Sequence, residues 1–110
     1  MKYLDKYDCR ELEDKNLILD LIPVNEFDEI FVCVSPRDEY IVIYDGGSVV
    51  SELKTIYNFS SQEFLTKLVE ICKKYRISKN GNVFFLQCQQ DEFDARLNDF
   101  VKALNEICKI

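Results

Sequence analysis

The hydrophobic period of this chain changes abruptly at Asp45-Gly46-Gly47. Before the glycines, "YIVIY" (40–44) has the length and composition of a strand. After them, Val49, Val50, Leu53, Ile56 and Tyr57 fall on one face of a helix. The backbone must therefore leave a sheet and enter a helix within a few residues. Glycine reaches positive φ without strain, and an Asp beside it can accept hydrogen bonds from the freed amides. Ser48 is the expected N-cap. A phosphate cradle needs a run of amides and a balancing Lys or Arg. This loop has neither the following Lys nor a G-x-x-x-x-G-K-[ST] or G-x-G-x-x-G spacing, so a turn is expected.

The same reading orders the rest of the chain. "NLILDLIPV" (16–24) alternates as a strand and ends at Pro23. "EIFVCVS" (29–35) is apolar on both faces, the pattern of a central or doubly covered strand. "PRDE" (36–39) reads as a turn, so residues 16–44 form a three-stranded antiparallel meander. Ser60 and Glu63 have capping-box spacing and open a helix with an apolar stripe of Phe64, Leu65, Leu68, Val69, Cys72 and Tyr75. "SKNGN" (78–82) reads as a turn into a fourth strand, "VFFLQC" (83–88). A last helix opens at Asp91 and carries Phe93, Leu97, Phe100, Val101, Leu104, Ile107 and Cys108 as its apolar pattern. A short polar helix is expected over residues 4–15. The predicted fold is a single α+β domain over 1–110 in the order β-β-β-α-α-β-α, preceded by that short helix. Its helices gather on one face of an antiparallel sheet.

Composition narrows the function classes. The five cysteines are widely spaced, with no C-x-x-C pair, and read as reduced thiols in apolar patterns. There is no His, which removes the commonest general base near neutral pH and the commonest zinc ligand. No metal site, cofactor or catalytic residue is expected. No apolar run approaches the ~20 residues that cross a bilayer, so no membrane contact is expected. The charged start lacks the apolar core of a signal peptide, which predicts a cytoplasmic protein. The net charge of −6 is uneven: residues 1–53 hold 13 acidic and 5 basic groups, and residues 54–110 hold 7 and 9. The acidic half repels nucleic acid and anionic lipid and suits a basic protein surface. Lys67, Lys73, Lys74, Arg76 and Lys79 read as a solvated helix face.

The stretch "IPVNEFDEIFVCVSPRDEYIVIYDGGSVVSELK" (22–54) resembles the core of the family known as domain of unknown function 1828, which occurs in bacteria and their mobile elements. Ile22-Pro23-Val24 sits where that family has Thr-Pro-Phe, and Tyr44-Asp45-Gly46 sits where it has Asp-Asp-Gly. "FSSQEFLTKLVEICKKYRISKNGNVFFLQC" follows the family's run of helix, turn and strand. The resemblance spans roughly residues 16–108. It implies a phage or mobile-element origin. Tyr44 stands where the family has an acidic residue, so a carboxylate pair is incomplete here.

In an antiparallel meander the 25–29 loop and the end of the 40–44 strand lie at one side. Glu26, Asp28, Glu29 and Asp45 are therefore expected to form a negative rim around an exposed Phe27. Such a rim fits a protein partner with a basic surface, and inhibition of a host enzyme that handles nucleic acid would use it. The expected function is a small acidic binding protein without enzymatic activity. Two rivals are a minimal metal-dependent phosphodiesterase using Asp45 and a structural homodimer joined by the last helix. "SELK" after Asp45 imitates a D…E-x-K nuclease site, but Glu52 and Lys54 are about 200° apart on the expected helix.

Overall fold

The computed structural model describes residues 2–19, 31–53 and 61–110. Among them six strands form one antiparallel sheet: β1 (Cys9–Glu11), β2 (Leu17–Leu19), β3 (Val32–Pro36), β4 (Ile41–Tyr44), β5 (Ser78–Asn80) and β6 (Val83–Cys88). The spatial order is β1-β2-β3-β4-β6-β5. The described residues also form three α-helices: α1 (Ser48–Leu53), α2 (Gln62–Tyr75) and α3 (Phe93–Cys108). No helix among the described residues is long and apolar enough to cross a membrane.

Register decides which side the helices cover. Leu19 pairs with Val32, Val34 with Ile43 and Ile43 with Leu86, so these side chains share one face. All of them join one core cluster with Val49, Leu53, Phe64, Leu68, Phe93 and Phe100 from the helices. The helices therefore lie on that face, which is the expected α+β arrangement. The opposite face carries Cys33, Val42, Tyr44 and Phe85. Val32, Cys33, Val34 and Ser35 are all buried, which matches the two-sided apolar pattern of β3.

The structure corrects several local expectations. Residues 4–15 form no α-helix. Lys2–Leu4 is a single 3-10 turn, and β1 then pairs with β2, Cys9 opposite Leu19. The start of the chain is instead tied to α3, where Tyr3 and Tyr7 pack on Phe93 at ring separations of 4.9 and 5.8 Å. Asp94 accepts hydrogen bonds from Lys6 Nζ (2.6 Å) and Tyr7 Oη (2.8 Å). Too few apolar positions serve a helix there, while pairing with β2 satisfies the backbone. Pro36 ends β3 rather than entering the turn.

At α2 the cap is Ser61, whose Oγ accepts from Phe64 N at 3.2 Å, rather than Ser60. Ser78–Asn80 is a strand, and the turn proper is Gly81-Asn82, with Gly81 at φ 60°. Glycine at the first loop position suits a two-residue hairpin. The last helix is preceded by a 3-10 turn over Gln90–Glu92, where Gln89 and Glu92 close a reciprocal capping box. Among the described residues, α1 ends at Leu53, and the strand positions expected at 20–24 and 29–30 lie outside them.

Candidate functional site

Asp45 is the first residue to weigh, because it carries the sequence-level case for chemistry. It is fully buried at the junction of β4 and α1. One oxygen, Oδ1, accepts from Gly47 N (3.1 Å) and from Phe84 N (2.8 Å), and Oδ2 accepts from Val49 N (3.1 Å). Its own amide donates to Phe84 O at 3.1 Å. The carboxylate thus fastens the turn to β6 and caps α1. Ser48, the expected cap, is the first helical residue, and its hydroxyl donates back to Asp45 O at 2.7 Å. Gly46 and Gly47 take φ 63° and 84°, so the glycine pair bends the chain as the sequence requires. Burial pushes the Asp45 carboxyl above its ordinary pKa, while the amides of Val49, Gly47 and Phe84 pull it part of the way back.

Asp45 therefore cannot belong to an exposed negative rim. Its side chain points inward and both oxygens are taken. Glu26, Phe27, Asp28 and Glu29 lie outside the described residues. Among the described residues no group of three Cys, Asp or Glu is placed to hold a metal ion.

A different surface stands out at the other end of the sheet, where α2 meets the edge strand β5. It is a groove of about 410 Å³. Leu68, Val69, Cys72 and Ile77 make its floor, and Lys73, Arg76 and Lys79 stand around it. One turn earlier on the same helix face, Leu65 is 41% exposed, and Val69 itself is 52% exposed. The sequence pattern assigns both to the core stripe. The sheet and α3 in fact cover only the flank of α2 that carries Phe64 and Leu68, with Ile71, Cys72 and Tyr75 partly buried against them. Among the described residues, the apolar face of α2 is wider than the surface that covers it.

The end of α2 lies at this groove and is closed by its own hydrogen bonds. Ile77 N bonds to Cys72 O at 3.0 Å, and Arg76 N bonds to Cys72 O and Lys73 O, the pattern of a Schellman closure. The left-handed position, normally glycine, is Arg76 at φ 55° and ψ 46°. A buried arginine of α3 supports this backbone. Arg96 Nη2 donates to Arg76 O (2.9 Å), and Nη1 donates to Tyr75 O (3.1 Å) and to Asp99 Oδ2 (3.0 Å). The two terminal carbonyls of α2 are thereby satisfied inside the protein, and Arg76 is fixed at the groove's end.

The basic cluster of the sequence separates into two groups. Lys67 pairs with Glu63 and Lys74 with Glu106, each at 3.2 Å. Hydrogen bonds from Tyr75 and Lys74 hold the Glu106 carboxyl below its ordinary pKa. Lys73, Arg76 and Lys79 make no ion pair among the described residues, and Lys79 Nζ reaches only Gly81 O at 2.5 Å. Three cations without an ion pair among the described residues thus border an apolar groove in a protein of net charge −6. The signal available in the sequence was the surplus width of the α2 stripe, Leu65 and Val69 beside a run of Lys and Arg. No family model matches the chain, and no match is found among the curated proteins or the solved structures.

Proposed function

We propose that this protein is a non-enzymatic binding module that acts by contact with another protein along the groove between α2 and β5. The carrying observation is that Leu65 and Val69, on a well-capped helix, stay exposed beside cations that form no ion pair among the described residues. Exposed apolar side chains that continue into a groove and are bordered by cations suit a contact with another protein. The rival phosphodiesterase reading draws no support from Asp45, whose oxygens are taken by backbone amides.

The test is a photo-crosslinking residue at position 69, with position 102 on α3 as control, in the cell that makes the protein. A partner crosslinked from position 69 alone, and lost when Leu65→Asp is added, is the expected result. Equal products at both positions, or none at position 69, would reject the groove. Loss of the product with Glu26→Lys, Asp28→Lys and Glu29→Lys, but not with Leu65→Asp, would move the contact to the acidic segment.

A further inference from the structure

Three features of the groove specify its occupant, given that it is the binding surface proposed above. The floor is aliphatic: Leu68, Val69, Cys72 and Ile77, continued by Leu65. Among the described residues no aromatic side chain lines it, so none of them stacks bases as single-stranded nucleic acid sites do. The free charges are all positive, while the neighbouring Lys67 and Lys74 are already neutralised by Glu63 and Glu106. A second copy of the chain would bring another −6 of net charge, which opposes self-association.

The geometry points to a linear segment of another protein, apolar at its centre and flanked by carboxylates. From Leu65 to Arg76 the helix face runs about 16 Å, the reach of roughly five extended residues. One or two aliphatic side chains of the segment fill the floor between Leu65 and Ile77. Its carboxylates meet Lys73, Arg76 and Lys79, with the guanidinium of Arg76 offering a two-pronged donor. Main-chain pairing adds little. β5 is the edge of the sheet, but Phe84, the partner of Lys79 in the register, turns its N–H and C=O toward Asp45. Only the N–H and C=O of Lys79 therefore face outward within the three-residue strand. Side-chain chemistry, rather than strand addition, carries recognition.

The experiment uses a pool of random 12-residue peptides displayed on phage and selected on the full protein. The best sequence is then synthesised and titrated by fluorescence anisotropy. Enriched peptides are expected to be net negative around aliphatic residues. Lys73→Glu with Lys79→Glu should weaken the synthetic peptide about tenfold or more, equivalent to about 1.4 kcal/mol. Arg76→Gly should weaken it several-fold without lowering the urea midpoint, which separates lost recognition from lost folding.

Enrichment of peptides without carboxylates, no enrichment at all, or equal affinity for the charge-reversed protein would overturn the inference. So would displacement of the peptide by oligo-dT through the same three residues, or a dimer in solution that the charge reversal dissolves. Crosslinking from Val69 that survives the charge reversal would reject the acidic segment while leaving the binding groove in place.

Discussion

Asp45 Oδ1 accepts a hydrogen bond from the amide of Phe84 at 2.8 Å, across 39 residues of sequence. With the bonds from Gly47 and Val49, the carboxylate joins the β4–α1 turn to β6. A site of this kind is strained to replace. Asp45→Ala leaves three amides without a partner inside the protein, each worth about 1–3 kcal/mol when orphaned. The expected loss is roughly 3 kcal/mol or more, a large part of the about 5–15 kcal/mol typical of a domain. Asp45→Asn, which keeps one acceptor but sets an amide donor against another donor, should cost less. Urea unfolding checks both: the midpoint falls while the slope stays constant.

The same residue gives a pH prediction with a definite sign. Burial raises the folded pKa of Asp45 above its ordinary 3.8. Between the two values the folded state holds the proton more tightly than the unfolded state. Stability contributed by Asp45 is therefore highest below pH 3.8 and declines as pH rises through the folded pKa. Carbon-detected NMR should show the Asp45 carboxyl titrating above its ordinary 3.8. The stability difference between wild type and Asp45→Asn should drift downward across that window. A titration at or below the ordinary value would contradict the desolvation argument.

How much of this was legible in the sequence depends on where each signal resides. The β4–α1 junction was legible, because the change of period and the glycine pair are local and admit few backbones. The meander was legible for the same reason. β1 was not: Cys9, Arg10 and Glu11 have no strand pattern, and only pairing with Leu17–Leu19 makes them a strand. β5 escaped because Ser78, Lys79 and Asn80 are turn-type residues whose turn begins one position later. Ser60 and Ser61 are adjacent and chemically alike, so the sequence alone does not distinguish the cap, which is Ser61. The groove was least legible. The pattern of α2 shows that Leu65 and Val69 are apolar and on one face, but not that neighbouring elements stop short of covering them. The negative rim failed at Asp45 because alternation and loop position cannot tell an outward carboxylate from one turned in to cap amides.

Arg96 offers a prediction about the groove's scaffold. It is 7% exposed and satisfies the carbonyls of Tyr75 and Arg76. Arg96→Met keeps much of the side-chain volume but leaves those carbonyls unpartnered, an expected loss of about 2–4 kcal/mol. Arg96→Lys should recover only part, because one ammonium cannot span the positions held by the guanidinium fork. Hydrogen exchange should quicken most at the last turn of α2, at the amides of Arg76 and Ile77.

The cysteines should differ sharply in reactivity. Burial pushes Cys33 up to about 11, despite an opposing hydrogen bond with Tyr44. At pH 8 that leaves about one thiolate per thousand, against roughly a quarter for an ordinary exposed thiol. Cys88 and Cys108 are also buried, whereas Cys9 and Cys72 are only partly buried. Timed alkylation with iodoacetamide, read by peptide mass spectrometry, should modify Cys9 and Cys72 first and Cys33 last. Cys72 lies in the groove floor, so a bound segment should protect it and leave Cys9 unchanged.

Neighbouring residues of α2 separate core from binding surface most directly. Leu68 is 5% exposed and joins the core, so Leu68→Ala should cost about 2–5 kcal/mol. Val69 is 52% exposed, and Val69→Asp should change stability by no more than about 0.5 kcal/mol. Arg76→Gly should go further and raise stability by roughly 0.5–1 kcal/mol, because glycine occupies the left-handed position without a Cβ conflict. Urea midpoints for the three variants should therefore fall, hold and rise in that order. A large loss from Val69→Asp would mean that this side chain supports the fold, and its exposure could then no longer be read as a surface kept for a partner.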